Sequence, residues 1–510
     1  MDIKHRTVLV LGGGGLVGSA ICRKLVEEGP KRIIVTALVR SEAEEAVRAL
    51  RKEFPQKPPT YFVPWWGNIF VRHALKDMRR EDILDDPRLR ANLVQDMLEE
   101  LNQAALERTT LYRLLKTHKP DIIIDGINSA TAIAYQDIFQ TARGLLQTLN
   151  NGTAPKTAAV KESAERLLCT LYIPQLIRHV QILYRSMHHF KTTIYVKIGT
   201  SGTGGMGLNI PYTHSEERPS SVLLSKSSVA GAHTLLLFLM GRTPDAPITK
   251  EIKPTAAIAW KRVAYGEIKK RGKPIELFDC PPAKGLKLHK SLPLNMKNFA
   301  VPMHDTLKNV FIDTGENGLF SRGEFEAIAT PGQMEFVTPE EIADDVVYEI
   351  KGGNTGRDII NALDNATLSP TYRAGYLFQS ANNQIIELEK KHKVDSVAFE
   401  MLGPPRLSKL LYEAYLLKLT CRSILGASKK SPAALSKSLA KLITSNKKLR
   451  VQIISIGIPI LMPDGKTLVR GNSIKIPPAR GENSVPVTGK NVDHWAHDGW
   501  VDLRDRKSVV

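Results

Sequence analysis

The chain has 510 residues, 42% hydrophobic and 24% charged, which suits a soluble globular protein with a large core and two or three structural units. Its longest apolar stretch, Leu235 to Met240, is too short for a membrane span, the first strand starts too near Met1 for a signal peptide, and four scattered cysteines (Cys22, Cys169, Cys280, Cys421) fit a reducing cytoplasmic setting without disulfides or a metal site. The net charge of +19 gathers late, with 15 Lys and Arg against 6 Asp and Glu from residue 425 onward, but no interleaved aromatics or nucleic-acid motif accompany it, so nucleic acid is not an expected partner.

The apolar run Val8–Leu11 leads directly into Gly12-Gly13-Gly14-Gly15-Leu16-Val17-Gly18, and an amphipathic helix follows through Ile21, Leu25 and Val26. Strand, glycine turn and helix in this order form a cradle for a dinucleotide pyrophosphate. Gly12 permits the tight turn, Gly15 lets backbone amides approach phosphate oxygens, and Gly18 lets helix pack on strand. The phosphates then meet the positive end of the helix dipole. A second strand ends Ala37-Leu38-Val39-Arg40-Ser41. An acidic residue at that tip would take a ribose 2′-hydroxyl; Arg40 with Ser41 suits a 2′-phosphate, so NADP is expected over NAD.

Further apolar runs at 60–65 and 121–125, with helical periodicity between, argue for a parallel sheet covered by helices on both faces. The span 70–119 is long for one crossover and reads as inserted helices. Another helical region covers 156–190, interrupted near Pro174, before a fifth strand at 192–198. A glycine-rich polar loop fills 199–219, and a strongly apolar helix runs from 221 to 241. Thr338-Pro339-Glu340-Glu341 caps a helix at 339–351. Helices continue to about 446, and Val451–Met462, a Pro463-Asp464-Gly465 turn and Thr467–Val469 read as a hairpin. The expected division is 1–280, 281–425 (mostly helical) and 426–510 (a basic tail containing β-structure).

Over residues 6–280 these features resemble the extended branch of the short-chain dehydrogenase/reductase family, which includes nucleotide-sugar epimerases and dehydratases. Gly12, Gly15 and Gly18 stand at that family's glycine spacing. Asn68 and Ile69 match its text after the third strand, with Asn68 replacing the acid that meets adenine. Asn128 and Ser129 fall where the family lines its cofactor after strand four. Ser201, with Thr200 beside it, falls where the family polarises the substrate carbonyl, and Lys253-Pro254 where it shapes the nicotinamide pocket. In the family's Tyr-x-x-x-Lys motif Lys226 is kept, but the tyrosine position is Val222. Valine can neither give nor take a proton.

The resemblance therefore implies a doubly wound α/β Rossmann fold with inserted helices, a helical C-terminal half and a small basic tail. It implies an NADP-dependent oxidoreductase, with NAD as the other cofactor, acting on a carbonyl or alcohol of a medium-sized polar small molecule. Ser201 would polarise the carbonyl, Lys226 would bind the ribose, and Tyr212, on the loop beside His214 and Glu216, would be the substitute acid. The alternatives are a non-catalytic nucleotide-binding sensor or scaffold, and an epimerase or dehydratase with retained cofactor. Helix 221–241 lies where the family often pairs, so a homo-oligomer is expected.

Overall fold

A computed structural model describes residues 1–134, 136–150, 157–199, 221–252, 256–270, 272–314, 318–329, 336–355, 372–399, 405–478 and 483–505. The chain divides into two compact units: Met1–Gly207, Pro219–Ala259 and Met334–Ala374 form the first, and Leu208–Arg218, Trp260–Gln333 and Gly375–Val510 the second.

In the first unit the apolar runs become a six-stranded sheet of β1 (Thr7–Leu11), β2 (Arg32–Ala37), β3 (Phe62–Trp66), β4 (Ile122–Asp125), β5 (Ile194–Ile198) and β6 (Ile248–Ile252), in the order β3-β2-β1-β4-β5-β6. All neighbours pair in parallel. This is the doubly wound Rossmann order, whose direction reverses between β1 and β4 and opens a crevice at the carboxyl edge there. Both faces are covered, which is why the central strands read as unbroken apolar runs rather than alternations. Val8, Val10, Ile33, Val35, Ile122 and Ile124 pack against α1 (Leu16–Glu27) and α2 (Arg40–Glu53). Leu9, Leu11, Ile34, Ile123 and Tyr195 face a second helical layer.

That layer holds α6 (Thr110–His118), α7 (Ser129–Ala134), α10 (Tyr172–Phe190) and α11 (Ser221–Gly241), with α8 (Ile138–Asn150) and α9 (Thr157–Leu168) between α7 and α10. Residues 70–119 supply α3 (Arg80–Asp85), α4 (Pro87–Leu98) and α5 (Gln103–Arg108), as the spacing predicts. Arg90 is buried and ties α4 to α9 through Glu165 at 2.9 Å. The break expected near Pro174 falls at 169–171 instead, because Pro174 sits in the first turn of α10, where a missing N–H costs nothing.

The boundary expected at residue 280 lies elsewhere, since the chain leaves the first unit after Ala259 and returns for Met334–Ala374. The reason is the helix Pro339–Ile350, whose capping box joins Thr338 and Glu341 reciprocally. Its apolar stripe (Ile342, Ala343, Val346, Val347, Ile350) shares a core with Ile21 and Leu25 of α1. Lys24–Asp344 at 3.0 Å and Lys351–Glu28 at 3.0 Å flank that contact.

The second unit sets short antiparallel strands beside its helices. Arg262–Glu267 pairs antiparallel with Lys308–Asp313, and the hairpin Ile460–Leu461/Thr467–Val469 is extended by Leu286–Lys287 and Val501–Asp502. Helices Pro405–Cys421, Pro432–Ser445, Lys447–Ser455 and Gly489–Gly499 complete it. Val451 to Ser455, expected as strand, is helical: Asn446 caps that helix through the Leu449 amide at 3.0 Å, and Val451, Ile453 and Ile454 all turn inward. A short β-branched run does not distinguish buried helix from buried strand.

Candidate functional site

The glycine turn leaves β1 with Gly12 at φ +75°, a left-handed conformation open to glycine. The turn satisfies its own amides: Gly12 donates to Thr36 Oγ1 at 3.1 Å, Gly13 to Val10 O at 3.2 Å, Gly14 to Thr36 O at 3.1 Å and Gly15 to Gly12 O at 3.0 Å. Helix α1 then begins at Gly15 with no side-chain cap and no acidic residue in its first turn. The amides of Leu16, Val17 and Gly18 are thus the orphan donors of an α-helix, aimed out of its N-terminus. Only glycine fits at position 18, where an added Cβ would stand 2.2 Å from Gly12 O. A Cβ on Gly12 would meet Gly126 C at 3.3 Å, so the turns after β1 and β4 lie side by side. The residues present fit a dinucleotide: tight backbone, free amides, and no carboxylate in the first turn to compete with a phosphate.

Arg40 opens α2 beyond the tip of β2, exposed, with Cζ 4.9 Å from the Trp66 ring centroid and Nε 2.7 Å from Glu44 Oε1. Ser41 follows it in the first turn. Lys76 lies over the same indole at 5.1 Å, so Trp66 is flanked by two cations at the edge of the crevice. Asn68 Oδ1 accepts from Phe70 N at 2.9 Å, which spends the carbonyl on the local turn. Ile69 is buried in the core beneath the second helical layer.

Behind the turn after β4 lies a buried polar cluster that sequence reasoning missed. Asp125, Lys197 and Glu251 stand in register across β4, β5 and β6. Lys197 Nζ lies 3.1 Å from Asp125 Oδ1, and it donates to Ile127 O and, at 3.4 Å, to Ser129 Oγ. Tyr195 OH donates to Asp125 Oδ2 at 2.7 Å, and Ile127 N donates to Oδ1 at 2.9 Å. Burial alone would raise the Asp125 pKa, but the Lys197 ammonium, the Tyr195 hydroxyl and the Ile127 amide together hold it below the ordinary carboxylate range. Burial pushes the neighbouring His179 down to about 4, so it is neutral at pH 7. Ser129 is sealed in this cluster, while Asn128 stands at the turn above it. The available signal was a lysine inside an otherwise apolar strand, Ile194 to Ile198.

Lys226 falls in the second turn of α11 and is 4% exposed. No carboxylate or other acceptor among the described residues meets its ammonium, and burial lowers its pKa. Ile133 of α7 and Val229 and Ala230 of α11 share one apolar cluster. Lys226 stands three residues before Val229, one turn earlier on α11 than that contact. The crevice thus has the glycine turn and α1 on one side, and Lys226 on the helix that follows β5. Ser201, Thr200, Tyr212, His214, Glu216, Lys253 and Pro254 lie outside the described residues.

The sequence model of the beta-methylindole-3-pyruvate reductase C-terminal domain matches residues 277–509. No curated relative matches the chain. Among solved structures, a double mutant of a Serratia marcescens short-chain dehydrogenase/reductase is 13% identical, with 72% of this chain and 95% of that chain covered and a TM-score of 0.30. An NAD+-bound xylitol dehydrogenase is 13% identical over 51% of this chain and 73% of that one, TM-score 0.28. The MalC reductase/Diels-Alderase of Malbranchea aurantiaca is 15% identical over 50% and 75%, TM-score 0.28. Likeness at this level bears on neither substrate nor site residues.

Proposed function

We propose that the chain is a nicotinamide-dependent oxidoreductase that interconverts a 2-oxo acid bearing an aromatic group with the corresponding 2-hydroxy acid, using NADP in preference to NAD. The observation that carries the cofactor reading is the uncapped first turn of α1 above a glycine turn whose own amides are already satisfied. Leu16, Val17 and Gly18 would hold the pyrophosphate, with Gly12, Gly13, Gly14 and Gly15 shaping its seat. Arg40 and Ser41 would take the 2′-phosphate. Asn128, Lys253 and Pro254 would line the rest, Asn68, Ile69 and Ser129 would support that lining from beneath, and Lys226 would reach the ribose. The bound nicotinamide would supply or accept hydride at the carboxyl edge, where Ser201 would polarise the substrate carbonyl. The substrate class follows the name of the reductase whose C-terminal domain residues 277–509 match, and a net charge of +19 favours an anionic substrate.

Helix α11 leaves Leu224, Leu235, Phe238 and Leu239 more than half exposed, a face that a second copy of the chain would cover, so a homo-oligomer is part of the proposal. Among the described residues no helix is long and apolar enough to cross a membrane, and the four cysteines are free thiols, which suits a cytoplasmic setting. The test is a fluorescence titration with NADPH and NADH, followed by turnover with indole-3-pyruvate and phenylpyruvate. Gly15→Asp keeps a good helix cap but sets a carboxylate against the phosphates, and it should abolish binding. Absence of binding in the natural protein would end the reading. Binding without turnover on any carbonyl would instead favour a nucleotide sensor, the alternative that Val222 at the tyrosine position supports.

A further inference from the structure

Lys226, which the reading above gives only a ribose to hold, is a buried lysine whose chemistry allows a second role. A lysine ordinarily keeps its ammonium in water or against a carboxylate, because burying an unpaired charge is costly. Lys226 is almost wholly buried and, among the described residues, meets no carboxylate; it stands four residues past a position where valine replaces the tyrosine of the motif it resembles. The contrast with Lys197 is direct. Lys197 is equally buried, yet its three protons meet Asp125, Ile127 O and Ser129 Oγ, so it has no proton left to offer. His179 is buried and neutral beneath the same turn, and Asp125 is ionised and enclosed by its partners.

We propose that Lys226 is itself the proton donor of this site, a catalytic acid that replaces both the missing tyrosine and the loop residue Tyr212. The inference rests on the oxidoreductase reading above. In the reducing direction the carbonyl carbon takes hydride from the reduced nicotinamide, and the π pair of the C=O bond moves to oxygen. That oxygen takes one proton from Lys226 Nζ, giving the alcohol, the oxidised nicotinamide and a neutral amine. Water reprotonates the amine before the next turnover. In the oxidising direction the neutral amine accepts the alcohol proton as hydride leaves carbon. Burial draws the lysine toward the working range of an acid–base catalyst, which an exposed lysine does not reach.

The experiment separates this role from ribose binding and from the functional reading itself. The Lys226→Arg variant keeps the positive charge and the hydrogen-bond donors but has no proton to release at a usable pH. It should bind NADPH within about threefold of the natural protein and lose at least about 100-fold in turnover, the usual size of a general-acid contribution. The natural enzyme's reduction rate should fall with rising pH along the titration of Lys226 and its oxidation rate should rise; Lys226→Arg should lack both limbs. In the apo protein, acylation of Lys226 by an amine-selective reagent, followed by peptide mass mapping, should reach its half-maximal rate at lower pH than acylation of the lysine in a short unstructured peptide. If the natural protein binds no nicotinamide, the functional reading fails. If it binds and turns over, the proton-donor role alone is overturned by an active Lys226→Arg, or by Tyr212→Phe abolishing the pH-dependent limb while Lys226→Arg retains it.

Discussion

Gly18→Ala adds one methyl group where the structure has no room for it, and it sets two opposing effects against each other. Position 18 lies in the first turn of α1, where alanine should favour the helix by about 1 kcal/mol over glycine. The new Cβ, however, would stand 2.2 Å from Gly12 O, 2.7 Å from Gly13 Cα and 2.9 Å from Gly12 C, all backbone atoms that no rotamer change can move. Ordinary contact begins near 3.4 Å, so helix and turn must part by roughly 1 Å. Overpacking of this kind costs about 1–3 kcal/mol. Net destabilisation of the apo protein should then be modest, about 0–2 kcal/mol. Cofactor affinity should suffer far more. A shift of roughly 1 Å stretches the amide–phosphate hydrogen bonds beyond useful length, and two charge-assisted bonds at about 1.5–3 kcal/mol each amount to at least 100-fold in Kd. NADPH fluorescence titration beside urea unfolding reads both quantities on one sample. Gly13→Ala should be intermediate, its Cβ meeting a movable Val35 Cγ1 at 2.9 Å, and Gly14→Ala mild, with Ala37 Cβ at 3.3 Å. Retention of wild-type affinity by Gly18→Ala, or a reversed order within the series, would refute the placement of phosphate at this turn.

Arg40→Glu should weaken NADPH binding by at least about tenfold while leaving NADH nearly unchanged, since only the 2′-phosphate contact is lost; parallel titrations decide it. His179 has a folded-state pKa near 4 against the usual 6.5. Its burial therefore costs nothing above pH 6.5, and stability falls by about 3 kcal/mol as pH drops from 6.5 to 4, because the unfolded chain binds the extra proton first. Urea unfolding across that range should show the loss, and His179→Leu should flatten it. Arg450 and Asp279 form a bidentate buried pair at 2.9 and 3.0 Å in the second unit. Arg450→Met should cost about 3–5 kcal/mol, and adding Asp279→Leu should restore much of it. Both are read as shifts in urea midpoint, and an unaltered midpoint in Arg450→Met would contradict the burial argument.

The parts of the fold that were legible are those in which local chemistry and tertiary role coincide. Parallel strands buried on both faces have to be apolar throughout, so Thr7–Leu11 and Ile122–Ile124 announce themselves. The turn at Gly12 requires a left-handed residue, and the Thr338–Glu341 box requires its own spacing. What stayed hidden depends on partners distant in sequence. Nothing near residue 339 says that Ile342 and Val346 belong to the core of α1 rather than to the following unit. Val451 to Ile454 turned helical because that core accepts either backbone and the Asn446 cap chose one. Lys197 looks like a misplaced surface residue until β4 and β6 supply Asp125 and Glu251 beside it.

The buried cluster also explains how one side of the crevice is held rigid. Asp125 grips the Ile127 amide and Lys197 grips the Ile127 carbonyl, so the turn after β4 is held from both ends of one residue. That turn abuts Gly12, and through it the seat of α1 is fixed relative to β4. A sealed ion pair of this kind contributes little net stability but strongly penalises any arrangement that separates its members. Two buried lysines thus differ: Lys197 has every proton engaged under the turn after β4, and Lys226 has none engaged among the described residues. Replacing Lys197 with methionine should strip Asp125 of its counter-ion and loosen the platform. Replacing Lys226 with methionine should relieve a desolvated charge and raise apo stability at neutral pH. Opposite signs in urea unfolding for two buried lysines of one crevice would show that the first serves the fold and the second the chemistry; equal losses would mean that Lys226 is a structural residue after all.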